Sequence, residues 1–227
     1  MWRASELPKW DPANDLKDSF FMVMYGRPRS GKSYLTKDIL YKVRRRFDDQ
    51  IFLFTTNATN PYSDLMGSNP AKRVFQGFSD PQSKKSFDMI IRYQTDLISR
   101  FGQKNTRPAL LIFDDSTDEG NKQHSDQALQ TLSTHYRHLN ISVIICVQYL
   151  KLFPPCLRSC VSHAILMNQI NGPVIKALQD EYLGCIPDPK TRREVFDRYT
   201  KMTNALVVSC SWSDVKLYQY KATNQAR

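Results

Sequence analysis

Gly26-Arg27-Pro28-Arg29-Ser30-Gly31-Lys32-Ser33 fits the phosphate-binding loop pattern G-x-x-x-x-G-K-[ST], and its flanks decide how that pattern is read. Ahead of it, Phe20-Phe21-Met22-Val23-Met24-Tyr25 is an apolar run long enough for a buried strand. Behind it, Tyr34-Leu35-Thr36-Lys37-Asp38-Ile39-Leu40 places apolar residues at helical spacing. In a strand–loop–helix setting, backbone N–H groups at the helix N-terminus wrap a triphosphate, aided by the helix dipole. Gly26, Arg27, Pro28, Arg29, Ser30, Gly31, Lys32, Ser33 and Tyr34 are then the expected binding residues for ATP. Lys32 would neutralise the β- and γ-phosphates, and the Ser33 hydroxyl would ligate Mg²⁺. The alternative, a chance glycine-rich turn, leaves the flanking strand and helix without a reason.

A second signal lies further along. Ala109-Leu110-Leu111-Ile112-Phe113 reads as a buried strand running straight into Asp114-Asp115, the Walker B pattern. Asp114, at the strand's C-terminal end, would hold the Mg²⁺ shell, and Asp115 would polarise an attacking water as general base. Read alone, the pair fits a helix cap or a turn equally well; beside a phosphate loop the catalytic reading is favoured. A helix-bearing segment separates the two motifs, which suits a sheet with an additional strand inserted between the Walker A and Walker B strands. Nucleotide kinases usually keep those strands adjacent and are disfavoured. Ile141 to Val147 is a further β-branched strand ending at Gln148. An amide there can hydrogen-bond both the attacking water and the γ-phosphate; a surface amide is the plainer alternative. Arg137, in Thr134-His135-Tyr136-Arg137-His138 just before that strand, falls on the opposite side of the nucleotide region. From there it is a candidate arginine finger for a neighbouring subunit, although most arginines are surface ion-pair partners.

The remaining chain alternates helices and strands. Ile51-Phe52-Leu53-Phe54 and Ala164-Ile165-Leu166-Met167 read as strands, and Asp80–Phe101, Gln127–His138, 173–183 and 189–202 as helices. Thr55 to Pro70, rich in Asn, Pro, Ser and Gly, reads as a surface loop. Residues 205–210 and 215–220 read as two strands joined by a Ser-Trp-Ser-Asp turn. The expected fold is therefore α/β: a RecA-like P-loop NTPase, its mostly parallel sheet flanked by helices, with a C-terminal β-hairpin. One domain over 1–227 is expected, with an N-terminal extension over 1–18 and C-terminal strands over 205–222.

Bulk properties narrow the partners. The net charge of +10 and pI near 9.4 suit a polyanion such as nucleic acid, with a merely solvated basic surface as the alternative. Arg44-Arg45-Arg46 ends the first helix, where cations are favourable in any case. Five cysteines without a C-x-x-C pair argue for a reduced, intracellular setting rather than secretion. Cys156 and Cys160 are four apart, but the histidines show no zinc spacing with them. Neither a membrane-spanning run nor the apolar region of a signal peptide is seen.

Taken together, the phosphate loop, Asp114-Asp115, and Arg137-His138-x-x-x-Ser142 leading to Gln148 resemble the FtsK–HerA superfamily of P-loop translocases. More narrowly they resemble the short DNA-packaging ATPases of poxviruses, other large DNA viruses, virophages and polinton-like elements. Pro154-Pro155-Cys156-Leu157-Arg158 is similar to that family's P-x-x-h-R segment, and Tyr218-Gln219-Tyr220-Lys221-Ala222 to its closing strand. The resemblance spans roughly residues 20–222. It implies an ATPase that drives double-stranded DNA, through phosphate contacts, into a preformed capsid. It also implies a homo-oligomeric ring, pentamer or hexamer, at a capsid vertex, in the virion or inside the host cell. Gln148 matches the family's sensor, Arg137 its trans-acting arginine, and Arg158 is a second candidate for finger or γ-phosphate sensor. Asp115 departs from the superfamily's commoner Asp-Glu, and the Arg27-Pro28-Arg29 tip is unusual. DNA contacts are expected from Thr55–Arg73 and from the segment after Asp115 (Lys122, His124). A related cellular DNA pump, a nucleotide kinase and an ATP-dependent assembly switch are the alternative readings.

Overall fold

Strands that are apolar along their whole length belong in the middle of a sheet covered on both faces, and that is where this chain puts them. The computed structural model describes residues 6–16, 18–57, 59–77, 80–114, 127–211 and 214–223. Asp115, Lys122, His124 and two residues of the Ser-Trp-Ser-Asp turn lie outside the described residues. The strands are β1 (Phe21–Tyr25), β2 (Ile51–Thr55), β3 (Val74–Phe75), β4 (Ala109–Asp114), β5 (Ile141–Val147), β6 (His163–Leu166), β7 (Asn204–Cys210) and β8 (Val215–Lys221). They form one sheet in the order β3-β2-β4-β5-β1-β6-β7-β8. Every residue of β1, β4 and β5 is buried. β5 lies between β1 and β4, so an additional strand does separate the Walker A and Walker B strands. Pairing is parallel from β3 through β6, and the β6–β7 and β7–β8 pairs are antiparallel, giving the C-terminal hairpin.

Alternation along β1 divides the core in two. Phe21, Val23 and Tyr25 face one cluster, and Met22 and Met24 the other. On the first face pack α3 (Pro81–Phe101), α4 (Gln127–His135), α6 (Gly172–Tyr182) and α7 (Pro189–Tyr199), through Phe87, Leu132, Leu178 and Phe196. On the second lies α2 (Lys32–Val43), through Leu35, Ile39 and Leu40. Two short helices, α1 (Pro12–Asp15) and α5 (Pro155–Arg158), complete the described set.

Local sequence explains the helix starts. Asp80, Asn171 and Asp188 accept from the backbone N–H of Ser83, Val174 and Thr191, each with a proline in the first turn. By contrast, α2 begins at Gly31 with no side-chain cap. Its first-turn N–H groups are thereby left for a ligand.

Several boundaries differ from the sequence reading. The helix expected over Gln127–His138 stops at His135, because Asn140 adopts a left-handed conformation (φ 55°) and Ile141 N–H reaches back to the Tyr136 carbonyl. The last helix stops at Tyr199, not 202, ahead of left-handed Met202. Thr55–Pro70 is not simply a surface loop: it buries Tyr62, Leu65 and Met66 against the α2 face of the sheet. Part of the N-terminal extension is built into the fold. Leu7 to Trp10 runs along β8, exchanging backbone hydrogen bonds with Gln219, and Trp10 meets Tyr220 edge to face at 5.1 Å. That segment covers what would otherwise be an open sheet edge.

Candidate nucleotide-binding site

The parallel register brings the C-terminal ends of β1, β2, β4 and β5 to one edge: Tyr25 pairs with Val147 and Thr55 with Asp114. The phosphate loop leaves β1 at that edge. Gly26 is buried, and a Cβ there would collide with Ser30 Oγ and press on Lys32 Cγ at 3.1 Å. Gly31 holds φ 90°, which a side chain resists. The exposed tip is Arg27, Pro28 and Arg29. A cavity of about 300 Å³ is lined by Pro28, Arg29, Gly31, Lys32, Ser33, Tyr34 and Gln148. The fold thus assembles the loop with the residue at the end of β5.

Lys32 is buried, and its Nζ donates to the carbonyls of Gly26 at 2.7 Å and Arg27 at 3.2 Å. An ammonium has three donors, so one exceeds these two acceptors. Ser33 Oγ donates to Asp114 Oδ2 at 3.0 Å. The same carboxylate oxygen accepts from the Tyr62 hydroxyl. Asp114 Oδ1 is buried with no hydrogen-bond partner among the described residues, and so is Ser30 Oγ. Buried polar atoms left unpaired are costly, which is the signature of a site completed by something else. A hydroxyl, a carboxylate with one uncommitted oxygen, an adjacent ammonium and an uncapped helix start fit a divalent cation with a polyphosphate.

Neighbouring groups are held neutral. Burial, with the Asp114 charge and Cys146 beside it, pushes the Tyr62 phenol well above its usual range, and burial does the same to the Cys146 thiol. Tyr62 had no motif to mark it; its only trace was one aromatic in a polar stretch, Asn60-Pro61-Tyr62-Ser63-Asp64.

The arginine candidates sit elsewhere. Arg137 is exposed in the turn before β5, at the opposite edge of the sheet, with its Nε donating to Tyr136 Oη at 3.0 Å. It lines a larger cavity of about 680 Å³ with Asp15, Arg46, Asn140 and His163, which contains no phosphate-loop residue. Burial lowers the His163 pKa to about 4. Arg158, at the end of α5, pairs with Glu181 of α6 at 3.2 Å, and its buried Nε has no hydrogen-bond partner among the described residues. Neither arginine lines the cavity beside the phosphate loop. Arg73 is buried against Asp49 at 3.3 Å, leaving Lys72 as the exposed cation beside it. No group of three or more His, Cys, Asp or Glu placed for a metal occurs among the described residues.

Comparison with known proteins bears on the fold and on the family. The genome packaging NTPase B204 of Sulfolobus turreted icosahedral virus 2, solved with ATP-gammaS, superposes with a TM-score of 0.61 at 14% identity, covering 94% of this chain and all of that one. The conjugation coupling protein TcpA of pCW3, solved with ATPgS, gives a TM-score of 0.59 at 14% identity over 96% of this chain and 70% of that one. The fold is that of the P-loop NTPases. In sequence, protein 015R of frog virus 3 (isolate Goorha) is 29% identical over 205 residues, 88% of this chain. The chain spans 61% of that relative's length. Protein 088R of invertebrate iridescent virus 3 is 26% identical over 88% of this chain and 75% of its own length. The family model described as Poxvirus A32 protein matches residues 8–179, from ahead of β1 into α6, and on that match the chain belongs to the Poxvirus A32 protein family.

Proposed function

We propose that this chain is an ATPase that drives double-stranded DNA into a preformed viral capsid, working as a homo-oligomeric ring at the capsid vertex. The observation that carries the reading is the hydrogen bond from Ser33 to Asp114 beside buried Lys32, with Lys32, Ser33 and Gln148 lining one cavity. Membership of the A32 family, and the fold shared with a protein described as a DNA-packaging ATPase, supply the context for what the hydrolysis drives. A nucleotide kinase is less well supported, since β5 separates the two Walker strands.

In this reading the uncapped start of α2 and Lys32 bind the triphosphate and offset its charge. Ser33 and Asp114 would hold Mg²⁺, which when bound supplies positive charge at the phosphate oxygens. Asp115 accepts the proton of the attacking water, and Gln148 orients that water from the end of β5. Arg137 of a neighbouring subunit is the proposed finger, with Arg158 the alternative. DNA is held by phosphate contacts without base readout, consistent with a net charge of +10. The proposed setting is the virion or the host-cell interior. No helix among the described residues is long and apolar enough to cross a membrane.

The test is ATP hydrolysis with and without long double-stranded DNA, across a salt series. Turnover should rise with DNA and that rise should fade with salt. Lys32→Ala is expected to lower turnover by about 10²-fold or more. ATP binding without turnover under both conditions would favour an assembly switch, and turnover that needs an acceptor nucleotide a kinase.

A further inference from the structure

Tyr62 reaches the nucleotide site from a segment that the two Walker motifs do not include. Its side chain is fully buried and its hydroxyl donates to Asp114 Oδ2, the oxygen that also accepts from Ser33 Oγ. Two donors on one oxygen fix the rotation of the carboxylate, and Oδ1 is left without a hydrogen-bond partner among the described residues. The ring is itself held in place. Asn60 Oδ1 accepts from the Tyr62 backbone N–H at 2.9 Å, and Asp64 pairs with Lys37, one turn beyond Ser33 on α2, at 3.3 Å. Resting on the ATPase reading above, we propose that Tyr62 is a positioning residue for the metal-holding carboxylate. Its phenol presents Asp114 Oδ1 to the magnesium–nucleotide complex, and the same bond ties segment 59–66 to the occupancy of the site.

A rigid second contact to a metal-holding group typically tunes affinity by ~10–100-fold. The measurement is therefore the Mg²⁺ concentration at which the full chain tightens its grip on a non-hydrolysable ATP analogue, in wild type and Tyr62→Phe. Affinity in EDTA should be nearly the same in both, while the Mg²⁺ midpoint of Tyr62→Phe should rise by about 10-fold or more. In an Asp114→Asn background the Tyr62→Phe change should add nothing, which a merely structural tyrosine would not obey. Asn60→Ala, which loosens the turn and spares the buried ring, should move the midpoint the same way by about threefold; it also serves if Tyr62→Phe does not fold. An unmoved midpoint overturns the proposal, as does an equal shift in the Asp114→Asn background. Wild-type protein that shows no Mg²⁺-dependent tightening overturns the ATPase reading along with it.

Discussion

At the tip of the phosphate loop Arg29 holds φ 60°, a conformation that costs an L-residue roughly 1–2 kcal/mol. Together with Gly31 at φ 90°, it turns the chain sharply enough for α2 to begin uncapped beside Lys32. Strain and an unsatisfied helix start coincide where a ligand would relieve the second. A different cost sits at the far edge of the sheet. His163 lies between Ser162 Oγ at 3.0 Å and Ser209 Oγ at 3.4 Å, and its pKa falls from 6.5 to about 4. Burial is the main cause; Asp15 opposes the shift and Arg137 adds to it. Between those two values the unfolded chain binds the extra proton, so His163 makes stability rise with pH there and level off above about 7. The full effect is up to about 3 kcal/mol. Denaturant unfolding at pH 7.5 and pH 5 should show wild type losing more stability on acidification than His163→Gln, by about 2 kcal/mol. Equal losses would mean that His163 is protonated in the folded state.

Among the elements, α2 and β8 are joined by one buried carboxylate. Asp38, with no exposed surface, accepts from Tyr220 Oη on one oxygen and from Thr223 N and Oγ1 at 2.9 and 2.6 Å on the other. Lys42, one turn on, pairs with it at 3.4 Å and lies over the Tyr220 ring. Tyr34, which lines the nucleotide cavity, donates to the Thr223 carbonyl at 3.3 Å. The closing strand therefore anchors the phosphate-loop helix. Asp38→Ala would strand a buried hydroxyl, two further donors and a lysine, and is expected to cost about 3–5 kcal/mol in chemical denaturation. A cost under about 1 kcal/mol would show the bonds to be interchangeable with water. Such links explain what the sequence could and could not reveal. The strands of the central sheet were legible because burial on both faces makes them uniformly apolar, and the phosphate loop because its spacing is dictated by one geometry. Asp38 carries no local signal beyond its place in a helix, and Tyr62 none beyond its place in a polar stretch, since their partners lie far away in sequence. The same holds for the 6–10 segment, whose place along β8 no local periodicity encodes.

For the whole molecule, sheet polarity separates the phosphate loop from the proposed arginine finger. The phosphate loop leaves the C-terminal end of β1, whereas Arg137 precedes the N-terminal end of β5, which pairs in parallel with it. Seven residues of strand span about 23 Å, far beyond the reach of an arginine side chain. Arg137 therefore cannot serve the loop of its own chain, and any catalytic role must be exercised on a neighbour. That consequence is measurable by mixing. Lys32→Ala carries a dead site and an intact Arg137; Arg137→Ala carries an intact site and no arginine. Each alone should hydrolyse ATP poorly. In an equal mixture about a quarter of the sites would pair a working loop with a working arginine, so turnover should recover toward that fraction. Recovery should also depend on total protein concentration, because the active arrangement exists only across an interface. If Arg158 is the finger instead, Arg137→Ala should retain near-normal turnover while Arg158→Ala restores activity to Lys32→Ala. Its pairing with Glu181 at 3.2 Å would then have to open in the working ring, and Glu181→Gln should raise the turnover of the unmixed protein.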